Sequence, residues 1–248
     1  GFVVKADATI EVEGFVFITG IVEISQQRGI AARAIGSPTA FTANVLTVGI
    51  ANAVVFAGVG YDPVTETGGT GVRLAVDSFG LLIVKEAVPA GKTYTSMKAT
   101  GAAELVGVAG LELSGTLNLV VNRADTAGKT LDFGFGGLAN GWQITVGSND
   151  PIIFDSIVAE VIVTGSAVIG IDQYVFISGE FAFRQSDNIL SVLKVVAGSP
   201  NVMTSVNGLT IGAQNVNVFV GTGYNLGVAF NAQDDLVGLK ITNAYVAL

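Results

Sequence analysis

Apolar residues recur at every second position over long stretches of this chain, the period of a β-strand with one face turned to a core. Three stretches share a signature: VFITGIVEI (16–24), LELSGTLNL (111–119) and VFISGEFAF (175–183) each alternate on both sides of a Ser/Thr-Gly pair. In each, the glycine falls in phase with the apolar set. A side chain missing from the buried row points to a bulge or to the close approach of another backbone. Val, Ile, Phe and Thr dominate these stretches, and turn signals punctuate them at Asp62-Pro63, Gly68-Gly69, Pro89, Asp125 and Asp150-Pro151. One stretch, residues 27–34, is worth testing as a helix. It is short and interrupted by Gly29, and its counterpart around residues 190–196 reads as strand. The pattern predicts an all-β chain.

Several strands are apolar on both faces, as with Phe15 and Phe17 opposite Val16 and Ile18, or Tyr174 and Phe176 opposite Val175 and Ile177. Strands of that kind belong to sandwiches with covered outer faces or to solenoids whose coils stack. The middle of the chain alternates cleanly, with Glu112, Ser114, Thr116 and Asn118 on one face. That face should meet solvent.

The chain also repeats itself, and repeats take precedence over other readings. LTVGIANAVVFAGVGY (46–61) aligns without gaps on LTIGAQNVNVFVGTGY (209–224) at an offset of 163 residues, and Gly36-Ser37-Pro38 recurs as Gly198-Ser199-Pro200 at 162. Residues 74–83 recur more loosely as 239–248, and 4–12 match 163–171 in their alternation. The expected organisation is a full unit (1–95), a shorter related unit (96–158) and a second full unit (159–248). The expected fold is an elongated tandem-repeat array, either a β-solenoid or stacked β-sandwich units, with a period of about 160 residues. Gly1 starts in mid-pattern and the last unit stops partway, as in a slice of a longer array.

Composition removes whole chemistries. With no His and no Cys among 248 residues, Ser-His-Asp and Cys-His nucleophiles, zinc sites of the usual ligand types, iron–sulfur clusters and disulfides are all excluded. Twenty acidic against twelve basic residues give a net charge of −8, which leaves no electrostatic footprint for nucleic acid or anionic lipid. Mean hydropathy is high at +0.62, and residues 43–61 are uncharged and long enough to span a bilayer. That window nevertheless carries Asn44, Thr47, Asn52 and three glycines and is rich in Val, so it reads as strand and no membrane span is expected.

Two loops, Ala90-Gly91-Lys92-Thr93 and Ala127-Gly128-Lys129-Thr130, end like a phosphate-binding loop. The glycine required four residues earlier is Glu86 in one and Arg123 in the other, and no helix pattern follows. They read as hairpin turns. Gly58-Val59-Gly60 and Gly134 to Gly137 likewise lack the strand–turn–helix context of a dinucleotide site.

Carboxylates are the remaining catalytic or metal-binding groups. The densest sets are Asp234-Asp235, Asn149-Asp150 with Asp155, and Asp125 with Asp132. An acidic turn suits Ca²⁺, but none of these matches an established Ca²⁺ loop. No catalytic or cofactor-binding residue is assigned, and the metal site stays open. Trp142 is the sole tryptophan and reads as a core plug in preference to a sugar-stacking platform. Recurrence of Phe56 as Phe219 and of Tyr61 as Tyr224 favours packing over function. No N-x-Ser/Thr sequon occurs.

The stretch ISGEFAFRQ (177–185), the later VGLKITN (237–243) and LELSGT (111–116) resemble the tandem β-repeats of giant bacterial exoproteins and adhesins. The resemblance implies a secreted or surface-attached location, a structural or adhesive role, and sometimes Ca²⁺-binding repeats elsewhere in the same chain. On this reading the protein is non-enzymatic and its partners are copies of itself or neighbouring repeats, with cell-surface glycan as a further partner class. The alternative from another class is a carbohydrate-binding, or less readily carbohydrate-cleaving, β structure using Trp142, the tyrosines and the Asp clusters. A porin-like barrel comes third, because 8% aromatics and doubly apolar strands fit poorly with its aromatic girdles and short, tightly alternating strands.

Overall fold

The computed structural model describes residues 1–12, 16–89, 91–125, 129–138, 141–146, 151–156, 159–194, 202–226 and 228–247. Phe15, Asn149, Asp150, Gly198-Ser199-Pro200 and parts of both Ala-Gly-Lys-Thr loops lie outside these residues. The strands are β1 (Phe2–Val12), β2 (Val16–Arg33), β3 (Ala40–Asp62), β4 (Thr67–Glu86), β5 (Thr93–Val106), β6 (Leu111–Ala124), β7 (Trp142–Ile144), β8 (Ile152–Phe154), β9 (Glu160–Ile171), β10 (Val175–Lys194), β11 (Val202–Thr222) and β12 (Val237–Ala247). The chain is all-β, as the alternation predicts.

Ten of these strands make one antiparallel sheet in the order β1-β2-β3-β4-β5-β6-β9-β10-β11-β12. Each bonds to its predecessor in that order, so the sheet is a simple meander, and it does not close. The short connections carry turn chemistry. Between β9 and β10, Asp172 and Gln173 both take positive φ (48° and 60°), the conformation that suits a tight hairpin to the twist of its strands. At the end of β3, the Val64 N–H donates to Asp62 Oδ1 (2.8 Å), a local Asx bond that holds the Asp62 carboxyl below its usual range.

Residues 27–34, the helix candidate, lie mostly within β2. Gly29 sits at φ 78° where the β2–β3 register slips between Arg28 and Ile30. The glycine that interrupts a helix pattern here makes a bulge in a strand.

The Ser/Thr-Gly strands behave as the missing side chain suggests. Opposite Gly20 and Gly179 the partner strands bulge at Asn52 (φ 50°) and Asn215 (φ 53°). A Cβ on Gly20 would stand 2.8 Å from Ala53 Cα. Gly115, in the third copy, has no bulge opposite, but a Cβ there would come 3.1 Å from Ala167 Cα. Close backbone approach is common to all three.

The segment between β6 and β9 leaves the sheet and folds back across one face of β2–β5 as a flap, with β7 paired to β8. Its Leu131, Phe133, Leu138, Trp142, Ile144, Val146 and Phe154 bury against Ala43, Val45, Leu82, Val84 and Tyr94. Each large side chain so covered contributes about 1.5–3 kcal/mol. The sheet admits the flap because it lacks side chains beneath it. A Cβ on Gly49 would collide with Val146 Cγ2, and one on Gly80 would stand 3.0 Å from Phe154 Cζ.

Polar contacts fix the flap at both ends. Near its start, Arg33 donates from Nε (3.0 Å) and Nη2 (2.6 Å) to Asp132 Oδ2, and its guanidinium lies 4.4 Å above the Phe135 ring centre. The backbone pairs there too, Asp132 N–H to Arg33 O at 2.8 Å, on the stretch of β2 that β1 does not reach. Near its end, buried Asn122 accepts from Ser96 Oγ (2.9 Å) and donates to Ser156 O (2.6 Å). Buried amides need such partners, because an unmade bond costs more than a made one gains.

A second core cluster is aromatic. Tyr61 stacks on Phe56 at 4.3 Å and leans on Phe17 at 5.6 Å. A matching trio has Tyr224 stacked on Phe176 at 4.1 Å and near Phe219 at 5.9 Å. Phe17, Phe56, Tyr61, Phe176 and Phe219 are buried, so the recurring rings serve packing.

Beyond β6 the sheet is a single layer among the described residues. Glu112, Ser114, Thr116 and Asn118 meet solvent as the pattern predicts, but so do Leu111, Leu113 and Leu117 on the opposite row. The covered outer faces expected for doubly apolar strands occur only under the flap and the aromatic trios. Tyr174, for example, is 59% exposed at its turn.

Candidate interaction surface

The least satisfied parts of the molecule are its two sheet edges. β1 bonds only to β2, and β12 only to β11. An edge strand presents a row of free N–H and C=O groups, which folded proteins usually blunt with charge, proline or a bulge. β12 is exposed along its whole length, with Val237 at 71%, Leu239 at 65% and Tyr245 at 82%. Its one charged residue is Lys240, which leans over the Phe230 ring at 4.6 Å. β1 carries Phe2, Val3 and Val4 exposed, and its Lys5 is drawn inward to Glu23 (2.6 Å). Neither strand contains proline. β12 does bend, since its register on β11 shifts around Val216, with Asn243 at φ 55°.

Cross-strand pairing tells which side chains share a face. Starting at β1, Glu11 pairs with Phe17, Phe17 with Phe56, Phe56 with Arg73, Arg73 with Glu104 and Glu104 with Ser114. The row continues through Val168 and Ser178 to Asn217. Two residues further along β11, Phe219 pairs with Lys240. Glu11 and Lys240 therefore project from the same face, two residue pairs apart on the ladder.

That face is hydrophilic over the second half of the sheet. Thr116 and Ser166 hydroxyls hydrogen-bond across β6–β9 (2.9 Å), and Gln214 Nε2 donates to Glu180 Oε2 (2.7 Å). With Tyr245 they border an open groove of about 780 Å³ floored by Ala182 and Gly212. Gly212 occupies the place in β11 that Gly49 occupies in β3. The flap covers Gly49, whereas nothing lies closer than 3.8 Å to a Cβ on Gly212.

The residues singled out in the sequence are dispersed. Trp142 is buried in the flap core and offers no face to a sugar. Asp125 accepts from the Thr93 N–H (2.9 Å), Asp132 is held by Arg33, and Asp155 takes Lys98 (2.9 Å). Arg33 keeps the Asp132 carboxyl below its ordinary range, aided by the Gly134 N–H. These carboxylates support turns and the flap and do not converge. Asp235 follows Asp234 in the bend before β12 and takes positive φ. Among the described residues no three acidic groups gather to hold a metal ion.

The first Ala-Gly-Lys-Thr loop is a β4–β5 turn, closed by Glu86 N–H to Lys92 O (3.0 Å) and by Lys92 N–H to the Glu86 carboxylate (3.2 Å). The fold brings Lys92 and Lys129 of the twin loops to one cavity of about 450 Å³, beside Glu86 and Tyr94. The Tyr94 hydroxyl donates to Glu86 Oε1 (3.3 Å). Burial, reinforced by that carboxylate, pushes Tyr94 up to about 12. Sequence reasoning did not foresee this convergence, nor a cavity of about 500 Å³ between Glu112, Asp172, Phe176 and Tyr224. The two matching lysine loops were a signal for the first; the second depends on turn geometry that only the fold supplies.

Among the described residues no helix is long and apolar enough to cross a membrane. No protein-family model, curated protein or solved structure matches this chain.

Proposed function

We propose that this chain is a non-enzymatic structural segment of an extracellular or cell-surface repeat protein, built to extend by side-to-side packing of β units into a fibre, matrix or adhesin stalk. The observation that carries the reading is the open ten-stranded meander with two long unpaired edges, β12 carrying a single charge and β1 exposing Phe2, Val3 and Val4. Such edges aggregate unless they are used. The reading is further supported by features that recur at the 163-residue offset: bulges at Asn52 and Asn215, and ring trios around Tyr61 and Tyr224. They fit an array with a period of about 160 residues whose units cover one another's unsatisfied surface. The partners are then copies of the chain or neighbouring repeats, and no cofactor is required.

Negative-stain imaging of the purified chain over a range of concentrations tests this. Ribbons or fibres that lengthen with concentration are expected. Particles that stay dispersed and monomeric at the highest concentration sink the reading.

The second reading, glycan binding, has the groove over Gly212 in its favour, with its hydroxyl and amide rim and exposed Tyr245. It predicts glycan-array binding that Tyr245→Ala abolishes. Binding that survives this substitution places the sugar elsewhere.

A further inference from the structure

Edges of one sheet do not all fit one another. Ten strands of alternating direction leave β1 and β12 running oppositely within the sheet, so a copy that adds its β1 beside β12 continues the antiparallel pattern and the sheet's twist. We propose that a second copy of this chain lays its β1 along β12, extending the sheet with the hydrogen-bond ladder in register. The inference rests on the structural reading above and names its contact.

The ladder gives the register. The rung through Asp7 and Ile21 runs by Ala51, Ser78, Thr100, Asn118, Thr164, Ala182 and Gly212 to Ala247. Carried across the gap, it sets Asp7 of the second copy opposite Ala247, with Ala8 opposite Val246 and Thr9 opposite Tyr245. Asp7–Val12 then lie along the exposed C-terminal half of β12.

Charge selects β1 over a second β12. In this register Glu11 faces the bend at Asn243, and Lys240 projects from the same face two residue pairs further on. Diagonal cross-strand neighbours lie about 7–8 Å apart, within reach of long side chains. Pairing β12 with β12 along its length about a two-fold axis would instead set each Lys240 opposite Ala244, with no opposite charge to meet. The β1–β12 contact joins two different surfaces, so it is heterologous and can repeat from copy to copy. Its product is a ribbon of indefinite width, in place of a dimer.

The chain contains no cysteine, so introduced thiols report only on this contact. The double variant Ala8→Cys/Val246→Cys, oxidised at fibre-forming concentration, should give a ladder of dimers, trimers and higher species on a non-reducing gel. Each single variant should stay monomeric on that gel, and an equal mixture of the two should give one heterodimer band. Lys240→Glu should weaken association about tenfold through like charges across the strands, and Glu11→Lys/Lys240→Glu should restore it. Circular dichroism and melting of each variant check that the monomer folds.

Homodimers from a single-cysteine variant overturn the proposal, as does failure of the charge-swap rescue. Fibres without the cross-linked ladder also overturn it, while leaving the structural role intact. Absence of both fibres and ladder removes the two together.

Discussion

Gly49 and Gly212 occupy matching places in β3 and β11, but only Gly49 has a roof. Replacing each with alanine therefore separates the cost of the flap contact from everything else a glycine substitution does. At Gly49 the new Cβ collides with Val146 Cγ2 and stands 2.9 Å from Ile144 Cγ2. Carbon atoms rest at about 3.5–4.0 Å, so the flap must lift by more than a side-chain adjustment. Val146 and Ile144 are 2% and 4% exposed, leaving them no free space to take up. Overpacking of this kind costs about 1–3 kcal/mol, offset by roughly 0.5–1 kcal/mol from removing a glycine from a strand. Gly49→Ala should thus destabilise by about 1–2 kcal/mol, a loss of roughly 2–8 °C in melting temperature for a chain of this size.

Gly212→Ala meets nothing nearer than Val246 O at 3.8 Å and should be neutral or stabilise by about 0.5 kcal/mol. Urea denaturation of the two variants measures the difference. Val146→Ala in the Gly49→Ala background should recover most of the loss, as a double-mutant cycle expects for atoms in contact. Equal stabilities for the two alanine variants, or no rescue by Val146→Ala, would refute the flap packing described above.

Two further outcomes follow from the flap. Asp132→Asn removes the charge-assisted pair with Arg33 and should cost about 1–2 kcal/mol at pH 7. Because the Asp132 carboxyl is held low in the folded state, its contribution is present above the unfolded carboxylate value of about 3.9 and fades as pH falls through the folded one. Denaturation at pH 7 and at low pH should show the wild-type advantage narrowing in acid, and an undiminished gap at pH 2 contradicts the assignment. Trp142, the sole tryptophan, should fluoresce as a buried indole that acrylamide does not quench and soluble glycans do not shift, and Trp142→Ala should cost about 3–5 kcal/mol. A glycan-dependent emission change would return that residue to the surface.

Period two in the apolar positions was enough to read an all-β chain, and it correctly marked the polar face of β6. The Ser/Thr-Gly strands were legible as close-approach sites because a glycine in a buried row has few other uses. Gly29 was harder. Its helix-like neighbourhood comes from Gln, Arg and Ala, whose local preference the pairing of β2 with β3 overrides. Asn52 and Asn215 stood in aligned positions, yet asparagine recurs for many reasons, and only positive φ shows both as bulges.

What the pattern could not convey is which apolar rows lack a cover. Leu111, Leu113 and Leu117 alternate as a core row does, and they face solvent because, among the described residues, no second layer lies over β6. The flap escaped notice for the converse reason. Residues 129–156 have strands of three residues, too short for any period, and their burial depends on glycines far away in sequence. Which strands form the sheet's edges was not legible either, since it depends on strand order, which alternation does not encode.

The open meander has a mechanical consequence. Tension along the strands loads many ladder hydrogen bonds of a pair at once, in shear, and must break them together. Tension across the strands, from β1 toward β12, loads the same bonds one after another, as a zipper opens. The sheet is therefore anisotropic: stiff along strands of up to 23 residues, roughly 75 Å at about 3.3 Å per residue, and compliant across them. The flap alters this locally. By tying β2 to β5 across the intervening strands, it makes four of the ten strands resist peeling as one plate, and a sideways pull will yield first in the uncovered half.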